Sequence, residues 1–212
     1  LRFEQTEVTS TALGVGAGTN GSSRPLVVLD PSGGVPLSGV AAIVRKDDNT
    51  CALMTDTTAR CWGRNDDDQL GVESSTAVVP LPSVVRNEDH TGPLSGVLDL
   101  ALGPQHSCAV LATGGARCWG TNTFGTLGDG TTSNRPRPTP VSDIYAGASL
   151  GGVRQMDPGD RFTCAVLTGG EIRCWGYNVD GALGDGEFLE TSSGYQNIPV
   201  RLRPRVVLAP PG

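Results

Sequence analysis

The apolar residues of this chain occur in short runs, rich in Val and Leu, that turn-forming residues separate. Val110-Leu111 and Ala116-Arg117, for example, flank the turn sequence Thr113-Gly114-Gly115, a pattern typical of a tight β-hairpin. No segment shows the 3.6-residue period of an amphipathic helix. The pattern therefore predicts an all-β protein.

The hairpin is one part of a unit that recurs three times. The phrase Arg-Cys-Trp-Gly stands at residues 60–63, 117–120 and 173–176, so that successive copies begin 57 and then 56 residues apart. Each unit also contains a Pro-flanked Val run, an extended piece after a Leu-(Ser/Gly)-Gly-Val phrase, and a Gly-rich closing loop. Four short strands per unit are typical of a β-propeller blade, whereas the coils of a β-solenoid are much shorter.

We therefore predict propeller blades of four antiparallel strands, with three complete blades and a partial unit at each end. Residues 1–24 are the predicted tail of a degenerate preceding repeat, 25–77 the first blade, 78–136 the second, 137–196 the third, and 197–212 the first strand of a further blade with a Pro-rich end. Closed propellers have roughly four to eight blades. We expect a protein partner or further copies of the chain to complete the propeller, because an open arc leaves strand edges unpaired.

All six cysteines belong to the hairpins, in three pairs of identical spacing: Cys51 with Cys61, Cys108 with Cys118, and Cys164 with Cys174. In a hairpin that is symmetric about Thr113, Cys108 lies directly opposite Cys118, within reach of a disulfide. We predict one disulfide in each hairpin. The alternatives are buried free thiols and a zinc site, although this spacing lacks the close ligand pairs of structural zinc sites.

Composition and charge narrow the classes of function. Thirty glycines and fifteen prolines agree with a turn-rich β protein. The formal net charge of −6 argues against a nucleic-acid partner, which requires a basic surface. Apolar stretches fall short of the ~20 residues of a transmembrane helix, so direct membrane insertion is not expected. Three disulfides would place the chain in the periplasm, at the cell surface or in the extracellular medium.

The phrases Cys-Ala-(Leu/Val) and Arg-Cys-Trp-Gly-x-Asn-x-x-Gly-x-Leu-Gly-Asp-Gly resemble the repeats of the regulator of chromosome condensation family. More narrowly, they resemble its exported bacterial members, which carry a cysteine pair in each blade. The resemblance covers residues 25–208 and implies a seven-bladed propeller. The first unit departs from it, since Asp66-Asp67-Asp68 replaces x-x-Gly and Val72-Glu73 replaces Asp-Gly. The sequence therefore does not predict the conformation of that loop.

The tryptophans and the loops that follow them are the candidate functional positions. Trp62, Trp119 and Trp175 recur once per unit, and we interpret them as blade-to-blade packing rather than as a binding stripe. The loops differ between copies, and such positions are free to carry recognition. The possible binding residues are Arg64, Asp66, Asp67, Thr121, Thr123, Phe124, Tyr177, Val179 and Asp180. Phe124 and Tyr177 are the first candidates because aromatic residues are enriched in interface hot spots; solvated loops without a ligand are the alternative.

Catalysis and metal binding find little support in the sequence. The two histidines, His90 and His106, stand in no catalytic motif, and His106 occupies a slot where the family carries a histidine with a packing role. The acidic loops lack the alternating Asp-x-Asp-x-Asp-Gly pattern of a calcium site. We expect no catalytic residue, no metal and no cofactor.

We therefore predict a non-catalytic extracellular module for protein binding or assembly. One alternative is a structural subunit of a surface filament or membrane complex, which the open strand edges favour. Another is an inhibitor of an extracellular enzyme, because members of the same broad propeller family bind β-lactamase through loops on one face; that analogy is at the level of the fold.

Overall fold

Each repeat forms its own four-stranded antiparallel sheet. The computed structural model describes residues 24–143, 148–179, 181–187 and 200–208. In this part of the chain twelve strands form three sheets, and the strands of each sheet pair in chain order. Blade 1 consists of β1 (Val40–Lys46), β2 (Asn49–Met54), β3 (Ala59–Arg64) and β4 (Val78–Val84). Blade 2 consists of β5 (Val97–Leu102), β6 (His106–Leu111), β7 (Ala116–Gly120) and β8 (Arg135–Pro140). Blade 3 consists of β9 (Val153–Pro158), β10 (Phe162–Leu167), β11 (Ile172–Tyr177) and β12 (Val200–Val206).

The three sheets stand side by side in an arc. The first strand of each blade lies closest to the neighbouring blade, since β5 contacts β1 and β2, and β9 contacts β5 and β6. The first strands are therefore innermost, and the fourth strands, β4, β8 and β12, are outermost. The prediction of an all-β protein with propeller blades of four antiparallel strands is confirmed.

The strand pairing corrects the boundaries that the sequence predicts between blades. Residues 78–84, assigned above to the second blade, form β4 and pair with β3 of the first. Residues 137–140 likewise belong to β8 of blade 2, and β12 closes blade 3 instead of beginning a further blade. The repeat period is compatible with either set of blade boundaries, because it gives the distance between copies along the chain and does not indicate which sheet a strand joins. The predicted tail at residues 1–24 lies outside the described residues, apart from Arg24.

All six cysteines form disulfides within their hairpins. The partners are directly opposite each other on the second and third strands of each blade, with Cα atoms 4.1 Å apart: Cys51–Cys61, Cys108–Cys118 and Cys164–Cys174. The disulfide prediction is confirmed, and sulfur atoms bonded to each other are neither free thiols nor zinc ligands. Each bond joins strands of one blade, so the contacts between blades depend on other groups.

Two of the recurring tryptophans, Trp119 and Trp175, join their blade to the preceding one. Trp119 of blade 2 is fully buried, and its indole Nε1 donates a hydrogen bond of 2.9 Å to the carbonyl oxygen of Gln69 in blade 1. Trp175 of blade 3 donates a hydrogen bond of 2.8 Å to the carbonyl oxygen of Thr126 in blade 2. A buried indole N–H requires such an acceptor. The interpretation as blade-to-blade packing is confirmed for Trp119 and Trp175, whereas Trp62 is buried in a cluster with Ala52 and Met54 of its own blade.

The glycine of the Leu-Gly phrase makes room for the tryptophan of the next blade. A Cβ atom at Gly71 would lie 2.6 Å from Nε1 of Trp119, and one at Gly128 would lie 2.6 Å from Nε1 of Trp175. Both glycines also have positive φ values, 65° and 68°, which other residues rarely adopt. The close approach of the next blade therefore explains why Leu-Gly recurs.

The asparagine that follows each tryptophan organises the loop between the third and fourth strands. Oδ1 of Asn65 accepts a hydrogen bond from the backbone N–H of Leu70, and the same contact recurs in the other two blades. In blade 1, Asp68 stands at the position of Gly125 and also adopts a positive φ, 57° against 72°. The departure of the first unit from the repeat therefore leaves this turn intact.

An ion pair between the loop and the fourth strand is present in two blades and replaced in the other. In blade 2, Oδ2 of Asp129 lies 2.8 Å from Nε of Arg135, and blade 3 repeats the pair. In blade 1 the same two positions hold Val72 and Val79, which are both buried in the core between blades 1 and 2. The site accepts a charged pair or an apolar pair, provided that its two members match.

We expect Asp129→Val alone to lower the free energy of unfolding by about 2 kcal/mol, because Arg135 and the loop amides lose their acceptor. Asp129→Val with Arg135→Val should recover part of that loss, since it recreates the Val72–Val79 pair. Urea unfolding of the double-mutant cycle measures the coupling. Arg137→Val is the matched control, because Arg137 lies on the same strand with no carboxylate partner among the described residues. Purely additive losses in the Asp129/Arg135 cycle would contradict this prediction.

Candidate interaction face

One end of every blade carries the positions at which the repeats differ. In a sheet of four consecutive antiparallel strands, the first and third connections lie at the same end. We call this end the loop face. It comprises residues 47–48 and 65–77 of blade 1, 103–105 and 121–134 of blade 2, and 159–161 and the described part of 178–187 of blade 3, together with the adjoining strand ends.

The predicted binding residues that the structure describes all belong to the loop face. They are Arg64, Asp66, Asp67, Thr121, Thr123, Phe124, Tyr177 and Val179. Asp180, the remaining candidate, lies outside the described residues. Strand pairing thus collects one variable segment from each blade on a single surface.

The two aromatic candidates meet across the junction between blades 2 and 3. Phe124 comes from the loop of blade 2 and Tyr177 from the end of β11 in blade 3, and their ring centroids are 5.2 Å apart at an interplanar angle of 66°. Such an edge-to-face arrangement is favourable for aromatic pairs. Both rings remain half-buried, so each still offers apolar surface at the loop face.

Arg161 completes this group and was not among the sequence candidates. Its guanidinium carbon lies 5.1 Å from the ring centre of Phe124 and 5.6 Å from that of Tyr177, within the range of cation–π attraction. Arg161 directly precedes β10, as Gln105 precedes β6 and Asp48 precedes β2. The sequence carried a signal for it, because this position also differs in every copy. We call Phe124, Tyr177 and Arg161 the aromatic cluster.

The junction between blades 1 and 2 presents polar groups at the equivalent positions. Nε2 of Gln105 donates a hydrogen bond of 3.3 Å to Oδ2 of Asp67, and Nε of Arg64 donates one of 2.7 Å to Oδ2 of Asp66. The hydrogen bond that Arg64 donates to Asp66 raises the pKa of the Arg64 guanidinium. The loop face therefore changes from polar contacts at the junction of blades 1 and 2 to an aromatic pair at the junction of blades 2 and 3, where Nε of Arg161 also lies 3.4 Å from Oδ2 of Asp160.

A buried hydrogen-bond network joins blades 2 and 3, the two blades that supply the aromatic cluster. The hydroxyl of Thr163 donates to the carbonyl oxygen of Thr126 at 2.8 Å, so its oxygen accepts the 2.8 Å hydrogen bond from Nε2 of His106. Nε2 of His106 therefore carries a proton, and burial lowers the pKa of His106 to about 4, which favours the neutral ring at neutral pH. This contact joins blade 2 to blade 3, which agrees with the packing role expected for His106.

The acidic residues of the loop of blade 1 are occupied by protein contacts. Asp66 pairs with Arg64, Asp67 accepts from Gln105, and Asp68 forms the turn. In the described part of the chain, no group of three His, Cys, Asp or Glu residues is arranged to hold a metal ion. What this surface can offer chemically is a set of apolar, cationic and carboxylate contacts.

Comparison with protein families identifies the repeats. The model of the regulator of chromosome condensation (RCC1) repeat matches residues 97–126, 153–182 and 114–166. The chain is 30% identical over 140 residues to the ultraviolet-B receptor UVR8 of Arabidopsis thaliana, which is 66% of this chain and 30% of UVR8. It is 29% identical over 164 residues to human E3 ubiquitin-protein ligase HERC2, which is 77% of this chain and 3% of HERC2.

Solved propellers share the fold over most of this chain. Human WBSCR16 superposes with a TM-score of 0.69 and 20% identity, covering 94% of this chain and 46% of that protein. Prp20p of Saccharomyces cerevisiae superposes with a TM-score of 0.63 and 19% identity, covering 84% of this chain and 40% of Prp20p. The chain thus spans less than half of the length of these relatives, and at this identity the likeness concerns the fold alone.

We expect His106 to make stability depend on pH between about 6.5 and 4. In this window the imidazole of His106 is protonated in the unfolded chain but neutral in the folded one. The free energy of unfolding therefore falls as the pH falls, and His106 contributes up to about 3 kcal/mol to this change. His106→Asn, which copies Asn49 at the equivalent position of blade 1, should reduce that dependence in urea unfolding measured at several pH values. Arg137→Gln is the control and should keep the wild-type dependence, because an arginine side chain does not titrate in this window and Arg137 has no carboxylate partner among the described residues. Equal pH profiles for His106→Asn and wild type would refute the prediction.

Proposed function

The chain belongs to the regulator of chromosome condensation repeat family, and from this premise we propose that it is a non-catalytic, extracellular protein-binding module. Its contact surface is the loop face, with the aromatic cluster at the centre of the contact. The repeats supply a rigid scaffold, and the variable connections supply recognition.

The observation that carries this proposal is the convergence of Phe124, Tyr177 and Arg161 from two blades. Aromatic residues and arginine are the residue types that contribute most to protein interfaces. Both rings are only half-buried, and the side chain of Arg161 is 51% exposed. The network of His106 and Thr163 beneath them holds the two blades in register, so a partner meets a preorganised surface.

Relatives with the same fold support a protein as the partner. The structure of Prp20p was described together with its binding to Gsp1p and histones, and yeast RCC1 was solved with Kap60 bound to it. Those partners belong to those proteins. What we carry over is the class of ligand, a folded protein or a peptide segment, because the net charge of −6 disfavours a nucleic-acid backbone.

The three disulfides support an oxidising compartment, because cytosolic thiols are kept reduced. We assign the protein to the periplasm, the cell surface or the extracellular medium, as an exported bacterial member of its family. A helix able to cross a bilayer is absent from the described part of the chain.

Selection of a phage-displayed peptide library against the folded chain tests the binding function. We expect enriched peptides to lose about tenfold or more in affinity on Phe124→Ala or Tyr177→Ala, because each removes a half-buried aromatic contact. Fluorescence anisotropy with the labelled peptides measures the loss. Leu98→Ala is the matched control: it also truncates an exposed apolar side chain, but at the opposite end of β5. Peptides whose binding is indifferent to both aromatic substitutions would rule out the aromatic cluster as the contact.

A second candidate role, assembly, is favoured by the face of blade 1 that points away from blade 2. Leu100 and Met156, on the first strands of blades 2 and 3, are only 6% and 4% exposed because the preceding blade covers them. Ile43 holds the same position in blade 1 and is 71% exposed. Val40, nearby on β1, is likewise exposed, whereas its counterpart Val97 is buried. We infer that another blade covers this face in the working protein.

The opposite end of the arc also offers apolar surface. Ile172 of blade 3 is 44% exposed, whereas Ala59 and Ala116 at the equivalent positions are fully buried against the next blade. Leu208, just after β12, is 60% exposed. Further copies or a protein partner at these two end faces would complete the propeller. The alternative of a surface-filament subunit uses the same faces, and the alternative of an enzyme inhibitor uses the loop face.

Light scattering after gel filtration, without reductant, tests assembly. We expect the chain to form a discrete oligomer that Ile43→Ser weakens, because the substitution removes apolar area from the face to be covered. Leu98→Ser is the control, since it removes another exposed apolar side chain, 59% exposed against 71% for Ile43, that lies outside both end faces. A chain that remains a soluble monomer at micromolar concentration would exclude assembly through copies.

A further inference from the structure

The outermost strands of blades 2 and 3 carry rows of arginines. Arginine occupies every second position, at Arg135 and Arg137 on β8 and at Arg201, Arg203 and Arg205 on β12, and we call each set a row. The two rows are equivalent, because Arg135 lies opposite Gly120 on β7 and Arg201 lies opposite Gly176 on β11. Arg137 and Arg203 therefore hold the same position in successive blades.

The first arginine of each row is neutralised by its own blade. Arg135 pairs with Asp129 at 2.8 Å, and Arg201 pairs with Asp185 at 2.7 Å and with Glu187. The arginines further along the rows lack such a partner in the described part of the chain. Among the described residues, no carboxylate lies within ion-pair distance of Arg137, Arg203 or Arg205, and all three are exposed.

Each row lines an open groove between two blades at the outer rim. The groove between blades 1 and 2 has a volume of ≈ 480 Å³ and is lined by Arg137 and by charged groups of blade 1. Of these, Arg86 and His90 both lie beside the carboxylate of Glu73, so Arg137 is the arginine of this groove without a carboxylate partner among the described residues. The groove between blades 2 and 3 has a volume of ≈ 380 Å³ and includes Arg203 and Arg205 beside Gly130. The absence of a side chain at Gly130 brings Arg203 close, since a Cβ atom there would lie 2.9 Å from its Nε.

The backbone of these rows is poorly suited to bind another strand. Pro136, Pro138 and Pro140 alternate along β8, and Pro204 lies within β12, so β8 lacks three backbone donors and β12 lacks one. What the rim offers is the guanidinium groups, whose planar donors match the oxygens of sulfate and carboxylate groups.

We propose that the two rim grooves bind an anionic polysaccharide through Arg137, Arg203 and Arg205. Equivalent arginines in successive blades suit a chain whose charged groups recur at regular intervals. The protein as a whole is acidic, so binding of a polyanion depends on this local patch. In the described part of the chain, neither groove is lined by Phe, Tyr or Trp, the platforms on which single-stranded nucleic acids stack their bases, and this favours a polysaccharide.

Binding of the 212-residue chain to immobilised dextran sulfate, with neutral dextran as reference, tests the proposal. We expect binding that weakens with rising NaCl and drops by about tenfold or more in the Arg203→Gln/Arg205→Gln variant. The matched control is Arg45→Gln/Arg154→Gln, which removes the same charge from exposed positions on the innermost strands β1 and β9. Arg137→Gln tests the groove between blades 1 and 2 in the same way. Unchanged near-ultraviolet circular dichroism verifies that the variants are folded.

Three results would overturn the proposal. In the first, the wild-type chain binds dextran sulfate no better than dextran. In the second, the control variant loses as much binding as the Arg203→Gln/Arg205→Gln variant. The third is equally tight, arginine-dependent binding of a single-stranded oligonucleotide of matched charge, which would assign the rim to nucleic acid. The Phe124→Ala variant should bind dextran sulfate as the wild type does, so failure at the rim and failure at the loop face are distinguishable.

Discussion

The contact on which the rest of the structure depends is the hydrogen bond from a tryptophan in one blade to a loop carbonyl in the preceding blade. The carbonyl oxygen of Gln69 accepts from Trp119 Nε1 and from the hydroxyl of Ser107, and that of Thr126 accepts from Trp175 Nε1 and from the hydroxyl of Thr163. These donors are buried, so a loop that failed to present the carbonyl would leave two of them unsatisfied at a cost of several kcal/mol. The glycine and the asparagine of the repeat both serve to hold the loop in that position.

This junction also explains how variable residues become a surface. Because the loop of one blade is held against the hairpin of the next, side chains from two repeats lie side by side at the loop face. Arg161 reaches Phe124 for the same reason that Gln105 reaches Asp67, although the first contact is cation–π attraction and the second a hydrogen bond. The exposed residues can differ in every copy, since the groups that hold the junction together lie beneath them.

The three blades show which changes the framework accepts. Val72 and Val79 replace the aspartate and the arginine of the other blades together, so no charge is left without a partner. Asp68 adopts the positive φ of the glycine that it replaces. Asn49 and Phe162 occupy the positions equivalent to His106 in blades 1 and 3. Of the three residues, only His106 is titratable and makes the stability of its junction depend on pH. In each case the backbone geometry persists and the side chains change as matched sets.

By itself the sequence determined the blades, the hairpins and the disulfides, because these follow from contacts between residues close together in the chain. The symmetry of a hairpin about its turn places Cys108 opposite Cys118 without reference to the rest of the molecule. The tertiary structure decided the sheet that each fourth strand joins, the meeting of Arg161 with Phe124, and the pairing of some arginines but not others. Those outcomes depend on residues that are far apart in the chain and come into contact only when one blade packs on another. A repeat period gives the spacing of residues along the chain and carries no information about their distance in space.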